Sequence, residues 1–143
     1  MNRIILVCIS LLICTSCTSV NDNVEYIEAK NYFCSSDTTF THAVKIVSQK
    51  EFDEYFSAAA YMDDDGKPTH IDFNKQFVIA KILPLTDRDT CFKPLALKIT
   101  GKHELELSYS LYYGEKQIYT MKPISILIVD RKYKDYTINE NEK

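Results

Sequence analysis

Cysteine is the residue type in this sequence with the most distinctive chemistry. Cys8 and Cys14 lie in an apolar N-terminal segment that ends just before Cys17, whereas Cys34 and Cys91 lie in the part of the chain that should fold as a domain. A cysteine can be acylated, joined in a disulfide or used as a nucleophile. The position of each cysteine relative to the apolar segment therefore decides which chemistry we expect.

The first sixteen residues have the composition of a secretory signal. Arg3 precedes the apolar stretch Ile4–Ile13, and the small residue Ser16 follows. The apolar stretch is about ten residues long, whereas a helix that crosses a membrane needs about twenty. We therefore predict that residues 1–16 are a signal peptide.

A cysteine placed directly after the small residue of the cleavage site resembles the lipobox of bacterial lipoproteins. In that motif the thiol receives a diacylglycerol, and the cysteine becomes the mature N-terminus. The resemblance implies that Cys17 is lipidated and anchors the protein in the cell envelope, with the outer membrane as the expected location. Cys14 stands where a lipobox usually has leucine. The alternative is an ordinary signal peptide that is cleaved nearby.

The two remaining cysteines predict a disulfide. In an oxidising envelope compartment, a pair such as Cys34 and Cys91 is expected to be bonded. Such a bond could contribute roughly 4 kcal/mol to stability if it is unstrained. A reactive thiol that works with a histidine is the alternative. Neither cysteine is accompanied by a third ligand at metal-binding spacing, so the sequence predicts no zinc site.

Charge and glycine content argue against several functional classes. The chain has 17 basic and 20 acidic residues and no basic stripe, so we expect no nucleic-acid partner. Its three glycines are isolated, whereas phosphate-binding loops and nucleophile elbows need clustered glycines. The acidic run that begins at Asp63 does not match a calcium loop, because Pro68 and Asn74 occupy the glycine and glutamate positions. We predict no cofactor, no metal and no enzymatic activity.

The mature chain predicts one helix and several strands. Ser48 and Glu51 have the spacing of a capping box, and apolar residues then recur every three or four positions, which predicts an amphipathic helix over about 49–60. Phe77–Leu83 is nearly unbroken apolar sequence, as in a strand buried on both faces. Other strands are expected at 24–33, 43–47, 95–100, 105–111, 117–121, 124–129 and 136–138.

These elements predict a single α+β domain. A sheet with one apolar face needs a cover, and the single helix can provide it. We expect a curled antiparallel sheet or a partial barrel packed on that helix. A lipidated tether over 17–25 would precede the domain at 26–138, and a polar tail would occupy 139–143.

Tyrosine is unusually frequent, with ten tyrosines and no tryptophan. Tyrosine combines apolar area with a hydroxyl group, which suits both half-buried sheet faces and binding surfaces. Packing is one interpretation. The other is a binding surface formed by Tyr112, Tyr113 and Tyr119 near a predicted turn at 114–116, together with Thr86 and Arg88 from a predicted loop at 86–90.

Three stretches together suggest a family. The runs Ser48–Phe56, Ile71–Ala80 and Lys122–Val129 resemble the C-terminal domain of PrcB-type protease-complex subunits, over roughly 44–130. Those lipoproteins are associated with a serine protease and are not proteases themselves. Family members often have a Thr-Gly-Gly-aromatic loop after the central strand, whereas this chain has Thr86–Asp89, so only the threonine is shared.

The sequence therefore predicts a non-enzymatic envelope lipoprotein. Its β-rich domain would bind another protein, such as a protease or a secreted complex for which it is an accessory subunit. A protease inhibitor is a close alternative, because one helix wrapped by an antiparallel sheet also describes cystatin-like folds. A lipoprotein that binds a small molecule or glycan through its tyrosines is the alternative from another class.

Overall fold

The computed structural model describes residues 21–60 and 64–143. Over these residues the chain forms β1 (Tyr26–Glu28), β2 (Tyr32–Cys34), β3 (Val44–Ile46), α1 (Gln49–Tyr55), β4 (Phe56–Ala58), β5 (Gln76–Ile82), β6 (Thr86–Gly101), β7 (Glu104–Met121), β8 (Ile124–Asp130) and β9 (Thr137–Glu142). The predicted α+β class is confirmed, and the sheets are not closed into a barrel. No helix of the described ranges is long and apolar enough to cross a membrane.

The molecule is built around β5, as its apolar sequence predicted. The central antiparallel sheet has the order β1-β8-β5-β3, so β5 has a strand on each side. Phe77 and Ile79 pack on one face against β6 and β7, whereas Val78 and Ala80 pack on the other face against α1. A strand covered on both faces needs apolar residues at consecutive positions, which explains the unbroken run.

The helix begins where the capping box predicted it. The Ser48 Oγ accepts a hydrogen bond from the Glu51 N–H at 3.2 Å, and the Glu51 carboxylate accepts one from the Val47 N–H at 3.1 Å. The helix ends at Tyr55, however, so the prediction of a helix to residue 60 was wrong. Phe56 instead begins β4, which pairs with β2. The aromatic residues needed to cover the sheet are supplied by this helix-to-strand junction.

The hairpin of β6 and β7 is longer than predicted. The two strands contain 16 and 18 residues, and they include the segments 86–90 and 114–116 that were expected to be a loop and a turn. Register shifts occur at several points, so the polar and glycine residues that suggested a loop and a turn are accommodated within the ladder.

Both ends of the predicted domain need correction. Asn23 forms a β-bridge with Lys98, and Val24 is buried, so the tether predicted to extend to residue 25 already contacts the sheet by then. The residues predicted as a polar tail belong to β9, which pairs in parallel with Glu104–Tyr109 of β7. Its alternating polar sequence concealed this strand, because its residues are exposed or only half-buried.

Candidate functional site

Beyond the end of β9, the β6–β7 hairpin continues as a two-stranded ribbon. We call residues 86–93 of β6 and 110–121 of β7 the distal ribbon. Among the described strands, none pairs with the outer edge of either strand there. All five residues of the predicted binding surface lie on this ribbon: Thr86, Arg88, Tyr112, Tyr113 and Tyr119. The hairpin thus brings two separate parts of the sequence onto one element.

A large irregularity in β7 exposes apolar side chains. Thr86 is opposite Met121 and Arg88 is opposite Lys116, so the four residues 117–120 of β7 stand opposite the single residue Asp87. Ile118 lies in this bulge and is fully exposed, and the adjacent Tyr119 is 58% exposed. The tyrosine was included in the predicted surface, whereas the isoleucine was missed because it was assigned to a regular strand.

Gly114 lies in a second, smaller bulge. A Cβ atom at this position would be 2.7 Å from the backbone oxygen of Asp89. Its carbonyl accepts a hydrogen bond from the Arg88 guanidinium at 3.3 Å, and Lys116 pairs with Asp87 at 3.2 Å. Glycine is therefore required here by the close approach of two strands and not by a turn. Arg88 has a local structural contact that the sequence did not indicate.

Tyr112 and Tyr113 lie on opposite faces of the ribbon, because adjacent residues of a strand alternate. Each is 63% exposed. Tyr113 continues the face that carries Tyr109 and Leu111, which pack on the core, but the central sheet no longer covers it. The sheet that buries the beginning of β7 thus leaves both tyrosines accessible.

A cavity beside Tyr113 is lined in part by Thr90, a buried residue whose hydroxyl group is unpaired. Its volume is about 270 Å³, and its lining residues are Leu83, Pro84, Leu85, Thr86, Thr90 and Tyr113. Thr90 is only 5% exposed, and its Oγ1 atom has no hydrogen-bond partner. No sequence signal indicated this group, since Thr90 lay in a predicted loop.

Two further cavities extend this one along the inner face of β7. The middle cavity, of about 340 Å³, shares Leu83 and Pro84 with the Thr90 cavity. The inner cavity, of about 460 Å³, shares Lys81 and Tyr109 with the middle one. We call this series of three cavities the β7 groove.

The inner end of the groove is formed by a buried ion pair. The Lys81 ammonium donates to Glu140 at 2.6 Å and to the Thr41 carbonyl at 3.0 Å, and His42 contacts the other Glu140 oxygen at 3.2 Å. Burial by itself raises the pKa of Glu140. Hydrogen bonds from Lys81, the Ala43 backbone and His42, together with the charge of Lys81, outweigh this effect, so the pKa of Glu140 is below its ordinary value. This cluster joins β9 to β5.

The predicted disulfide is not formed. Cys34 and Cys91 are both free thiols. Cys34 lies in β2 with its Sγ 3.2 Å from the Ser36 carbonyl, and Cys91 is exposed in β6 opposite Tyr112. The disulfide was predicted because these are the two cysteines left in the domain, but in the fold they lie in different sheets.

The other residues with potential chemistry are dispersed. His103 packs edge-on against the Tyr136 ring, and His70 is exposed. Within 21–60 and 64–143, no three histidine, cysteine or acidic residues are grouped as a metal site would require. The predicted lipidation site Cys17 lies outside the described residues.

Comparison of the chain with protein-family models, curated proteins and solved structures found no significant match. The resemblance to PrcB-type subunits therefore stays a prediction from the residues quoted above.

Proposed function

We propose that this protein is a non-enzymatic lipoprotein of the cell envelope that binds another protein through its distal ribbon. The observation that carries the proposal is a set of exposed large side chains on both faces of this ribbon or next to it: Leu85, Tyr112, Tyr113, Ile118 and Tyr119. Aromatic residues are enriched in protein interfaces, and grouped exposed apolar residues mark such surfaces.

The unpaired edges of the ribbon support a protein partner over a glycan. A free strand edge presents backbone donors and acceptors at the spacing of another strand, and proteins usually cover or block such edges. Here the first residues of β7 beyond Tyr109 are Ser110, Leu111, Tyr112 and Tyr113, so neither a charged residue nor a proline blocks this part of the edge. A polypeptide could satisfy these backbone groups in regular order, whereas a glycan has no matching repeat.

The position of the ribbon suits an anchored protein. Asn23 contacts β6 at Lys98, near the turn of the hairpin, whereas the distal ribbon is at the other end of the same strands. From Lys98 to Arg88 the strand extends roughly 30 Å at about 3.3 Å per residue. A lipid on Cys17 would therefore attach the domain by its proximal end and leave the ribbon directed away from the membrane.

The non-enzymatic part of the proposal rests on sequence. The chain has no clustered glycines and no nucleophile motif, and its resemblance to PrcB-type subunits implies an accessory role. A protease or secreted complex is the partner class that this resemblance favours.

Cross-linking in intact cells tests the proposal. Replacing Ile118 and Tyr119 by serine should abolish recovery of a stoichiometric protein partner, because these side chains project from the bulge. Ile27→Ser is the matched control, since Ile27 is also exposed at 55% but lies on β1. Recovery of the same partner with wild type and the double variant would reject the distal ribbon as the binding surface, and recovery of none with wild type would reject a protein partner.

A second experiment tests the anchor. Cys17→Ala should move the protein from the membrane fraction to the soluble envelope fraction. A Cys17→Ala protein that still fractionates with membranes would reject lipid anchoring at this residue.

A further inference from the structure

The edge of β7 has two residues whose backbone groups are directed outward. The Lys143 amide donates to the Tyr109 carbonyl at 2.8 Å, so the backbone of Tyr109 faces the β9 side. Backbone groups alternate sides along a strand, and the N–H and C=O groups of Leu111 and Tyr113 therefore face this same side. β9 pairs with β7 only as far as Tyr109, and no other described strand continues beside Leu111 and Tyr113.

The β7 groove lies next to this edge. Leu111 lines its middle cavity, and Tyr113 lines its outer cavity. The outer cavity of about 270 Å³ is several times the ~30 Å³ that one water occupies in the liquid, so it can receive a large side chain. A strand placed beside Leu111 and Tyr113 would direct alternate side chains toward the groove.

Thr90 adds a chemical requirement to this cavity. Its hydroxyl group is buried without a hydrogen-bond partner, whereas the other lining side chains are mostly apolar. An unpaired buried hydroxyl is unfavourable in the free protein, and a bound group that hydrogen-bonds to it removes that penalty. The cavity therefore fits a side chain that has an apolar body and a polar end.

We propose that an extended segment of the partner protein adds as a strand to β7 beside Leu111 and Tyr113. One side chain of this segment, of the tyrosine type, enters the outer cavity and hydrogen-bonds to the Thr90 hydroxyl group, which turns toward the cavity when the segment binds. Strand addition is a known mode of peptide recognition, in which backbone hydrogen bonds give affinity and pockets for alternate side chains give specificity. This inference rests on the proposed function, because it names how the partner is bound.

A displayed library of random decapeptides is the probe for this edge. Peptides selected on the wild-type protein should alternate apolar and polar residues and include an aromatic residue with a hydrogen-bonding group. In their presence the Leu111 and Tyr113 amides should exchange with deuterium at least tenfold more slowly. A library that yields no binder, or binders that leave both amides unprotected, would overturn the proposal.

Two substitutions at Tyr113 separate the backbone from the side chain. Tyr113→Ala and Tyr113→Pro both lose the ring, but only proline loses the outward N–H, which is not part of the ladder with β6. We expect the proline variant to bind the selected peptides at least tenfold more weakly than the alanine variant, with an unchanged thermal midpoint relative to alanine. Equal affinities would overturn strand addition.

Thr90→Val tests the hydroxyl group without loss of shape. We expect a higher thermal midpoint together with about tenfold weaker binding of the selected peptides, so unfolding cannot explain the loss. Unchanged affinity would overturn the role of Thr90.

These outcomes are distinct from those of the proposed function. A partner that depends on Ile118 and Tyr119 but binds Tyr113→Pro and Tyr113→Ala equally would retain the function and overturn strand addition. Analytical ultracentrifugation of the wild type and of Tyr113→Pro supplies a further control. If the wild type is a dimer and Tyr113→Pro is a monomer, the strand added to β7 comes from a second copy of this chain, and a partner segment is overturned.

Discussion

The two halves of the β6–β7 hairpin belong to the same two strands but have different surroundings. In the proximal half, residues 94–101 and 104–109, the side chains of Leu97, Leu105 and Leu107 are buried against the central sheet. In the distal ribbon the equivalent face is still buried at Phe92 and Thr90, but it also carries Tyr113, which is 63% exposed. Alternation determines which side chains share a face, but only the sheet beneath determines whether that face is buried.

Truncation in each half should give the largest contrast. Leu107→Ala should lower the free energy of unfolding by about 3 kcal/mol, because it leaves a cavity in a packed core. Ile118→Ala should change it by less than about 0.5 kcal/mol, since this side chain is in solvent. Urea denaturation of both variants measures the difference, and a comparable loss for Ile118→Ala would show that the distal ribbon is packed.

The ion pair that joins β9 to the proximal half should be nearly as important. Lys81→Met should cost about 3 kcal/mol at neutral pH, because it leaves the Glu140 carboxylate buried without its main partner. Lys75→Met is the control. The Lys75 side chain is exposed and its ammonium lies 3.8 Å from the Asp72 carboxylate, and because exposed ion pairs contribute little to stability, we expect little change.

The same pair predicts a pH dependence. The folded-state pKa of Glu140 is below its ordinary 4.5, so the carboxylate contributes stability above that pH and loses it as pH falls through the lower folded-state value. The difference in stability between wild type and Lys81→Met should therefore shrink in this acidic range. A difference that stays constant from pH 7 to pH 3 would contradict this assignment.

Glycine substitutions compare the bulge of the distal ribbon with the turn of the proximal half. Gly114→Ala should cost about 2 kcal/mol, because the new Cβ meets backbone oxygen at 2.7 Å. Gly101→Ala meets only the Glu104 side chain, which can move, and should cost clearly less. Thermal unfolding of the pair provides the test, and equal losses would refute a backbone clash at Gly114.

The smallest effect expected is a gain in stability at Thr90. Thr90→Val removes an unpaired buried hydroxyl group and should stabilise the free protein by about 1 kcal/mol. Thr100→Val, at an exposed position of the same strand, should have almost no effect. Destabilisation by Thr90→Val would mean that this hydroxyl is hydrogen-bonded in solution.

Sequence reasoning succeeded where the signal was local. The capping box at Ser48 identified the start of α1, and the unbroken apolar run identified β5 as a strand covered on both faces. It failed at the end of α1, since Phe56 has the same helical spacing whether it continues the helix or begins β4. Pairing with β2 decides that position, and β2 is distant in sequence.

The candidate surface was predictable only in part. Tyrosines could be proposed as a binding surface because tyrosine combines apolar area with a hydroxyl group, and Tyr112, Tyr113 and Tyr119 are indeed exposed. Thr90 and Ile118 could not, since a buried hydroxyl and an exposed isoleucine depend on which strand residues face each other. Cys34 and Cys91 show the converse: composition paired them, and the fold did not.

The sequence by itself determined the α+β class, the central strand and the start of the helix, because hydrophobic periodicity and capping act within a few residues. Only the tertiary structure decided that Glu140 neutralises Lys81, that a polar C-terminal segment completes a sheet, and that one hairpin extends beyond its cover. These features arise from contacts between residues far apart in the chain, and no local pattern encodes which distant strand will be the neighbour.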